Sequence, residues 1–532
     1  MTILVDYQLY RFPVRLEVIG LDFLTRAGMS LKKNIAASYA SQAYATVIGI
    51  VIIPLYLKYM GAEAYGLVGF FAMLQAWFTL LDMGLTPTMA RETARLRGGA
   101  IDAHSYHRLL RALQMMFLAI ALLGGGALFS VAGFVAHHWL KVQHLAMSEV
   151  IYAIRMMALI VALRWMAGLY RGIVSGSEHL VWMGAYNAGT ATVRSLGVLP
   201  VLQYVGGTPV VFFTYQLAVA VLEFACLYFK ARSLLPERAR ETAPSLTLTP
   251  IKAILKFSIS IALTSSIWTV VTQADKLILS KLLPLSDYGY FSLAVLVASG
   301  VTIVSGPVSS AIMPRMARLE AEGNTESLLR IYRNTTQLVT IVALSAAVTL
   351  SLYAKPLITI WTGNSELASR AAPILVPYAL GNAVLAVCAF PYYLQYAKGN
   401  LRLHLVGSLL FLLLLVPAVV WVAPRYGGMG AGYVWLAVNS VFFLFWVPYV
   451  HKVVQPGMHR AWMMNDVLRI AVASIVVAKI VVTFLPKPDQ HIKILAEIVI
   501  VGGAALLAGA LASASVSGLL SNIWRSHRGR AV

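Results

Sequence analysis

The fold of this chain is decided by residues 52–96, which read IIPLYLKYMGAEAYGLVGFFAMLQAWFTLLDMGLTPTMARETARL. One apolar run ends near Gly61, and a second starts at residue 64 and closes on Asp82 and Gly84. A helix that spans a bilayer needs roughly 20 mainly apolar residues. The stretch therefore predicts the end of one transmembrane helix, a short turn and a complete second transmembrane helix.

The same pattern continues along the rest of the chain. Applied to the whole sequence, the length criterion predicts an all-α membrane protein with about 14 transmembrane helices. The loops between them are short and leave no room for a sizeable domain outside the membrane. The predicted spans are 37–57, 64–85, 112–136, 149–170, 181–203, 208–230, 253–275, 286–311, 333–356, 371–393, 402–423, 430–450, 467–485 and 494–518.

The composition supports a membrane location. Hydrophobic residues make up 59% of the chain and charged residues 12%, whereas a soluble domain carries about 25% charged residues. A net charge of +21 is typical of proteins that contact nucleic acid or anionic lipid. Here the basic residues form short clusters between apolar runs, which favours the cytoplasmic lipid surface and argues against a nucleic-acid partner. Cys226 and Cys388 lie inside apolar runs and are interpreted as helix-packing residues.

Lysine and arginine residues are concentrated in every second loop, as the positive-inside rule requires. With the N-terminus in the cytoplasm, roughly 29 basic residues fall inside, about 9 outside and about 4 within spans. We therefore expect a multi-pass membrane protein with both termini in the cytoplasm. Residues 1–28 are predicted to be a poorly ordered tail or an over-long start, with Met29 as the alternative first residue.

Two short motifs occur twice at one offset. Tyr65-Gly66 matches Tyr288-Gly289, and the Ala-Arg-Leu triplet at 94–96 matches the triplet at 317–319, in each case 223 residues later. An even number of helices between the copies predicts two pseudo-symmetric six-helix lobes related by an axis along the membrane normal, with a substrate cleft between them. The predicted segments are a cytoplasmic N-terminal tail (1–36), an N-lobe of helices 1–6 (37–230), a cytoplasmic interlobe linker (231–252), a C-lobe of helices 7–12 (253–450), helices 13 and 14 (451–518) and a cytoplasmic basic tail (519–532).

These motifs resemble the polysaccharide-transporter, or oligosaccharide flippase, branch of the multidrug/oligosaccharidyl-lipid/polysaccharide exporter superfamily. In that family a first helix ends near a glycine, and a Tyr-Gly turn leads into a second helix that closes on an acidic residue, a glycine and basic residues. The second matching stretch is TQADKLILSKLLPLSDYGYFSLA, residues 272–294, in which Asp275 and Lys276 occupy the acidic and basic positions of the family. The first stretch matches at Gly61, Tyr65-Gly66, Asp82, Gly84, Arg91 and Arg95.

The resemblance implies a flippase for an undecaprenyl-pyrophosphate-linked oligosaccharide, a repeat unit of O-antigen, capsule or exopolysaccharide. Such a protein moves its substrate from the cytoplasmic to the periplasmic leaflet by alternating access of two lobes. The expected partners are this lipid-linked oligosaccharide and membrane lipids, with a polysaccharide polymerase and glycosyltransferases as further candidates, and a monomer is expected. A drug or metabolite antiporter of the same fold is the alternative, and an intramembrane sugar-lipid ligase or acyltransferase is a third hypothesis.

Arginines within the predicted spans are the candidate substrate-binding residues, because a charge at the bilayer centre costs about 2.5–3.5 kcal/mol. Arg194, near the middle of the fifth span, would hold a phosphate or a sugar acid in the cleft, or would pair with Glu223 on the next helix. Arg155 in the fourth span is the second cleft candidate. Arg164, nine residues later, faces the opposite side of that helix and is expected to reach the cytoplasmic surface beside Arg171.

Charged residues at other positions are candidates for gating or ion coupling. Asp275 and Lys276 are expected where the seventh span meets the outside, either as an ion-coupling site or as a helix-end pair. Asp82, near the cytoplasmic end of the second span, would form a gate pair with Arg91 or Arg95, or would cap a helix end. Glu223 completes this set.

Motifs of common enzymes are absent from the sequence. It contains no GxxxxGK[ST], HExxH, CxxC or GxSxG, which are patterns of ATP hydrolysis, zinc peptidases, thiol chemistry and serine hydrolases. The sequence therefore predicts a protein that is not an enzyme, with no catalytic residues, no cofactor and no metal site.

Overall fold

The computed structural model describes residues 40–82, 84–235, 249–303, 305–485 and 490–514, without the side chains of residues 249–265, 307 and 310. The predicted tails at 1–36 and 519–532, and most of the predicted linker at 231–252, lie outside these residues. Regular secondary structure in the described ranges is helical throughout, and one isolated bridge joins Lys141 to Pro284. The all-α prediction is confirmed.

The helices are numbered in chain order, and short helical turns join several of them. They are α1 (Ala40–Val51), α2 (Ile53–Phe78), α3 (Leu85–Arg97), α4 (Ala103–Ser130), α5 (Met147–Gly176), α6 (Leu180–Ser195), α7 (Val198–Tyr204), α8 (Pro209–Ser233), α9 (Thr249–Leu282), α10 (Leu285–Ser299), α11 (Ser305–Ala321), α12 (Thr325–Leu352), α13 (Ala354–Thr362), α14 (Ser365–Cys388), α15 (Phe390–Ala397), α16 (Arg402–Val441), α17 (Val447–Val454), α18 (Arg469–Phe484) and α19 (His491–Ala512).

Polar residues set several helix starts, because the first backbone N–H groups of a helix lack partners within it. The Asp102 side chain accepts a hydrogen bond from the Ser105 N–H and caps α4. Thr208 caps α8 in the same way, and Pro209 follows at the first helical position, where its missing N–H costs nothing. Apolar runs form the interiors of both helices that begin at these caps.

Nine helices among the described residues are long and apolar enough to cross a membrane. Two of these are interrupted by a glycine with non-helical backbone angles, Gly61 in α2 and Gly427 in α16. The fifth predicted span is divided between α6 and α7, and the eighth between α10 and α11. The transmembrane helical class is confirmed, and the count of 14 spans stays a prediction.

Gly427 turns the α16 helix back on itself. Its φ of 58° and ψ of −146° lie in a region that glycine adopts without a steric penalty. Residues on either side of the break then pack together, since the ring centroids of Phe411 and Phe442 are 4.9 Å apart. The segment from Arg402 to Val454 is therefore a helical hairpin, which matches the eleventh and twelfth predicted spans.

Gly61 divides α2 in the same manner, with a φ of 81° and a ψ of 171°. Before the break, the Tyr56 hydroxyl donates a hydrogen bond to the Ser195 carbonyl at 3.2 Å, so this arm packs against the end of α6. After the break, α2 packs along α10. This second arm joins the first half of the chain to the second.

The repeated Tyr-Gly motifs contact each other where α2 meets α10. Gly66 lies against the carbonyl of Leu285, and Gly289 lies against the carbonyl of Ala62. The two contacts are equivalent, because adding the repeat offset to 62 and 66 gives 285 and 289. Such a reciprocal pattern is what a two-fold axis produces. It supports the internal repeat, while the exact lobe boundaries stay predictions.

The loop between α4 and α5 connects the two halves on the side predicted to be outside. Trp139 Nε1 donates a hydrogen bond to Ser280 Oγ at 2.9 Å. Glu63, beside the break in α2, accepts hydrogen bonds of 2.5 to 3.2 Å from the backbone N–H groups of residues 143–145. The longest predicted outside loop is thus held by groups from both halves.

The last two helices, α18 and α19, pack on each other and on α12. Asp466, in the helical turn before α18, is fully buried. Its carboxylate accepts hydrogen bonds from Arg333 at 2.6 and 3.1 Å and from Gln337 Nε2 at 2.6 Å. A buried charge network therefore attaches the C-terminal helices to the second half of the bundle.

Candidate functional site

A cavity of about 380 Å³ lies within the first half of the chain. The helices that line it are α1, α5, α6 and α8. Its wall contains four charged side chains from α5, α6 and α8, and we call it the cationic cavity. These side chains are Arg164, Arg171, Arg194 and Glu223.

Arg164 and Glu223 form the most buried ion pair of the cavity. Arg164 Nε donates to Glu223 Oε2 at 3.0 Å, and Arg164 Nη1 donates to Gln75 Oε1 at 2.9 Å. The side chains of the two charged residues are only 15% and 10% exposed, and such charges are stable only when each has a partner. Arg164 Nη2 and Glu223 Oε1 still lack a hydrogen-bond partner among the described residues. The pair thus leaves one donor and one acceptor unsatisfied.

Arg194 lies on the other side of Glu223. Its Nη1 is 3.9 Å from Glu223 Oε1, too far for a hydrogen bond, and its side chain is 38% exposed. Gln216 Nε2 donates to the Arg194 carbonyl at 3.1 Å and connects this part of α6 to α8. Arg194 is therefore positioned by its backbone while its guanidinium lines the cavity.

Arg171 extends the basic wall along α5. It follows Arg164 by seven residues, which places it on the same helix face about 10 Å further along the axis. Its Nη1 donates to Asn187 Oδ1 at 2.8 Å, and its guanidinium carbon lies 5.8 Å from the centroid of the Tyr186 ring. These neutral partners orient the arginine without cancelling its charge.

The cavity carries an excess of positive charge, because three arginines line it and one glutamate offsets only one of them. Charges interact more strongly in a low-dielectric interior than in water. Guanidinium groups bind phosphate oxygens with paired hydrogen bonds, so the arrangement suits an anion with at least two charges. Within the described part of the chain, no group of three or more His, Cys, Asp or Glu side chains is placed to hold a metal ion.

The predicted cleft residues occupy different environments. Arg194 lines the cationic cavity, and its Nη1 lies 3.9 Å from Glu223 Oε1, so the expected proximity to Glu223 is present. A role in holding a phosphate or sugar acid stays a prediction. Arg155 does not line this cavity; its side chain is exposed, and its guanidinium carbon lies 5.3 Å from the centroid of the Phe129 ring. Arg164 was expected at the cytoplasmic surface, and this was wrong, because Glu223 provides it with a buried partner.

Asp275 was expected at the outer end of its span, and the structure corrects this. The residue is 1% exposed, and its carboxylate accepts a hydrogen bond from the Tyr378 hydroxyl at 2.6 Å. Lys276 Nζ lies 3.4 Å from the same carboxylate. Because apolar residues continue after Lys276, α9 extends to Leu282 and Asp275 lies about two turns inside it. The helix-end pair is therefore wrong, and a role in ion coupling stays a prediction.

Asp82 forms its hydrogen bonds with a residue of the next helical turn. Its carboxylate accepts hydrogen bonds from Thr86 Oγ1 at 2.6 Å and from the Thr86 N–H at 3.2 Å, and so it stabilises the start of α3. Arg95, one of its proposed partners, pairs with Glu92 at 2.9 Å. The structure favours the helix-cap alternative, and a gate pair with Arg91 stays a prediction.

Several residues of the cavity were not identified from the sequence as site residues. Arg164 and Arg171 repeat at seven residues, and Asn187, Thr190 and Arg194 follow one another at three and four residues on one face of α6. Each stripe alone indicates a polar helix face within the membrane. These stripes are visible only when all polar residues on one helix face are considered together, and not when each charged residue is considered alone.

Membrane-spanning helices around a charged cavity are typical of membrane transporters. The chain belongs to the polysaccharide biosynthesis protein family, whose pattern matches residues 31–320, more than half of its length. The sequence resemblance to the oligosaccharide flippase branch is thereby confirmed.

Individual relatives agree with this assignment. The chain is 19% identical to a putative O-antigen transporter of Shigella flexneri over 343 residues, which are 63% of this chain and 78% of the relative. Its fold is similar to that of the lipid II flippase MurJ in an inward closed conformation, with a TM-score of 0.69 and 13% identity over 89% of this chain and 98% of MurJ. It is also similar to an inward-facing multidrug resistance transporter of the MATE family, with a TM-score of 0.64 and 14% identity over 78% of this chain and 96% of that transporter. These proteins are transporters and flippases rather than enzymes.

Proposed function

We propose that this protein is a flippase that moves an undecaprenyl-pyrophosphate-linked oligosaccharide across a bacterial inner membrane, from the cytoplasmic to the periplasmic leaflet, by alternating access. The cationic cavity carries the proposal. The pyrophosphate that joins lipid to sugar is a compact anion with more than one charge, and three arginines against one glutamate match it. The name of the Shigella relative and the family of the chain point to the same substrate class.

Each charged residue has a distinct task in this proposal. Arg194 binds the pyrophosphate first, because its guanidinium makes no hydrogen bond to Glu223. Arg164 contributes its unsatisfied Nη2, and Arg171 extends the site along α5. Glu223 lies between Arg164 and Arg194 and neutralises part of their charge when the cavity is empty, which limits the affinity so that the anion is also released.

The charge of the cavity separates this proposal from the antiporter alternative. A site for organic cations needs an acidic wall, because each arginine repels a cation in a low-dielectric cavity. The cationic cavity has the opposite sign.

In the proposed setting both termini are cytoplasmic and the protein acts as a monomer. A polymerase and glycosyltransferases supply or use the same lipid-linked sugar.

Replacing Arg194 by glutamine is expected to lower the rate of transport about tenfold. A charge-assisted hydrogen bond contributes about 1.5–3 kcal/mol, and the two remaining arginines retain part of the attraction. The assay uses proteoliposomes that contain undecaprenyl-pyrophosphate N-acetylglucosamine and measures how fast the sugar becomes accessible to a glycosyltransferase added outside. Arg232→Gln is the matched control, since Arg232 is an exposed arginine at the end of α8.

The same variants are tested in cells by staining the surface polysaccharide beside an immunoblot of the membrane fraction. Normal membrane insertion with reduced surface staining in Arg194→Gln supports the proposal. Full transport in both Arg194→Gln and Arg171→Gln would contradict it. Uptake of an organic cation dye without any movement of the lipid-linked sugar would show the antiporter instead.

A further inference from the structure

The second half of the chain contains a larger cavity, of about 720 Å³. It lies within the size range of small-molecule sites, roughly 300–1,000 Å³. Aromatic side chains from α15, from α16 and from the turn that joins α16 to α17 form much of its wall, among them Tyr392, Phe411, Phe442 and Trp446. We call it the aromatic cavity.

The aromatic cavity is the counterpart of the cationic cavity in the internal repeat. The cationic cavity is lined by the predicted spans 1, 4, 5 and 6. The aromatic cavity is lined by spans 7, 8, 10, 11 and 12, which include the equivalents of all four. The reciprocal contact of Gly66 and Gly289 supports this two-fold relation. Equivalent places in the two halves therefore hold cavities of different chemistry.

Charge distinguishes the two cavities. Among the described residues, the wall of the aromatic cavity contains no Lys, Arg, Asp or Glu side chain. A pyrophosphate would gain nothing there, so the ligand of this cavity is an uncharged group. The rings are arranged in contact, with 4.9 Å between the centroids of Phe411 and Phe442 and 4.4 Å between those of Tyr392 and His404.

One polar atom in this wall distinguishes a sugar from a hydrocarbon chain. Asn439 is 1% exposed, and its Nδ2 donates to the Trp435 carbonyl at 2.8 Å. Its Oδ1 has no hydrogen-bond partner among the described residues, and an unsatisfied buried acceptor costs about 1–3 kcal/mol. A hydroxyl of a ligand would satisfy this acceptor, whereas an isoprenoid chain would leave it unpaired. Ser408, His404 and the tyrosine hydroxyls add further polar groups around the rings.

We propose that the aromatic cavity binds a neutral sugar ring of the transported molecule. The ring stacks its C–H face on the aromatic wall, and one of its hydroxyl groups donates a hydrogen bond to Asn439 Oδ1. This inference rests on the proposed function and divides the headgroup between the halves. The pyrophosphate binds in the cationic cavity, and the sugar binds at the equivalent place in the other half.

Two probes that differ only in the sugar test this division. Citronellyl pyrophosphate and the same molecule linked to one N-acetylglucosamine are titrated by calorimetry into the full-length protein in nanodiscs. We expect the sugar-bearing probe to bind about tenfold tighter, because its hydroxyl satisfies a buried acceptor that is otherwise unpaired. Asn439→Leu should reduce this preference to less than about threefold and leave the affinity for the sugarless probe unchanged. Tyr392→Leu should lower the preference in the same direction.

Ser440→Ala is the matched control, because Ser440 is next on the same helix and bonds to the Leu436 carbonyl instead. It should keep the full preference for the sugar. Equal affinities of the two probes for the wild type, or a preference that survives both Asn439→Leu and Tyr392→Leu, would overturn the proposal. A gain in affinity on lengthening the sugarless probe to farnesyl pyrophosphate that Tyr392→Leu abolishes would assign the cavity to the lipid chain and also overturn it. If neither probe binds, the proposed function itself fails, and so the two failures are distinguishable.

Discussion

Gly66→Ala is expected to reduce transport by roughly a hundredfold, because the added methyl group would push the two halves of the protein apart. A Cβ atom at Gly66 would lie 2.1 Å from the Leu285 carbonyl oxygen, far inside van der Waals contact. That oxygen is part of the backbone and has no rotamer to change, so α2 and α10 must move apart by about 1 Å. Overpacking costs typically 1–3 kcal/mol, and 3 kcal/mol corresponds to about a hundredfold. In the proposed alternating-access cycle, this contact would have to re-form each time.

The contact is measured with a cysteine pair across the halves. Ser286 Oγ donates to Gln143 Oε1 at 3.2 Å, so Gln143→Cys with Ser286→Cys should be cross-linked efficiently by a short bifunctional thiol reagent in a Cys226→Ser, Cys388→Ser background. Gly66→Ala should lower the yield of cross-linked protein together with the rate of transport.

Two further glycine variants make this prediction specific. Gly289→Ala should behave like Gly66→Ala, because its Cβ would lie 2.5 Å from the Ala62 carbonyl oxygen. Gly126→Ala in α4 should change neither measurement, since no atom lies within 4 Å of the added group. If Gly66→Ala cross-links and transports like the wild type, the α2–α10 contact has no part in the cycle.

Hydropathy could predict most of the fold, because the bilayer imposes a length and a composition on every spanning helix. The predicted fourth span, 149–170, lies within the helix Met147–Gly176. The predicted spans were shorter than the helices, because polar residues continue a helix beyond its apolar core. The prediction placed a break between the eleventh and twelfth spans, at 424–429, and the non-helical Gly427 lies within that break. It misplaced Asp275 because the end of the seventh span was inferred from the first charge, whereas the helix continues to Leu282.

The candidate site could be predicted only in part. Arg194 was found because a charge in the middle of a span requires a partner or a function. Arg164 was assigned to the cytoplasmic surface because a helical wheel gives the face of a residue but not what packs against it. Its partner Glu223 is 59 residues away in the sequence, and only the packing of α5 on α8 brings them together. The aromatic cavity could not be predicted either, because its rings come from separate helices that only the packing of the helices brings together.

Arg333→Leu is expected to weaken the attachment of the C-terminal helices by about 3–5 kcal/mol, the typical cost of leaving a buried charge unpaired. Asp466 is fully buried, and Arg333 is its cationic partner at 2.6 Å. Without it, the hydrogen bond from Gln337 is the one that remains to the carboxylate among the described residues. The expected results are a lower midpoint of thermal unfolding in detergent and faster proteolysis of the segment between α18 and α19.

The expected loss of stability comes from the burial of the Asp466 charge and not from the loss of an ion pair in itself. Two further variants distinguish these two causes. Arg330→Leu removes an ion pair to Glu326 that is also 2.6 Å long, but its side chains are 66% and 85% exposed, so a loss below about 1 kcal/mol is expected. Arg333→Leu combined with Asp466→Asn should recover most of the lost stability, because the neutral amide has no charge to leave unpaired and can still bond to Gln337. Equal losses in Arg330→Leu and Arg333→Leu, or no recovery in the double variant, would contradict this explanation. α18 and α19 would then be held mainly by their apolar contacts with α12.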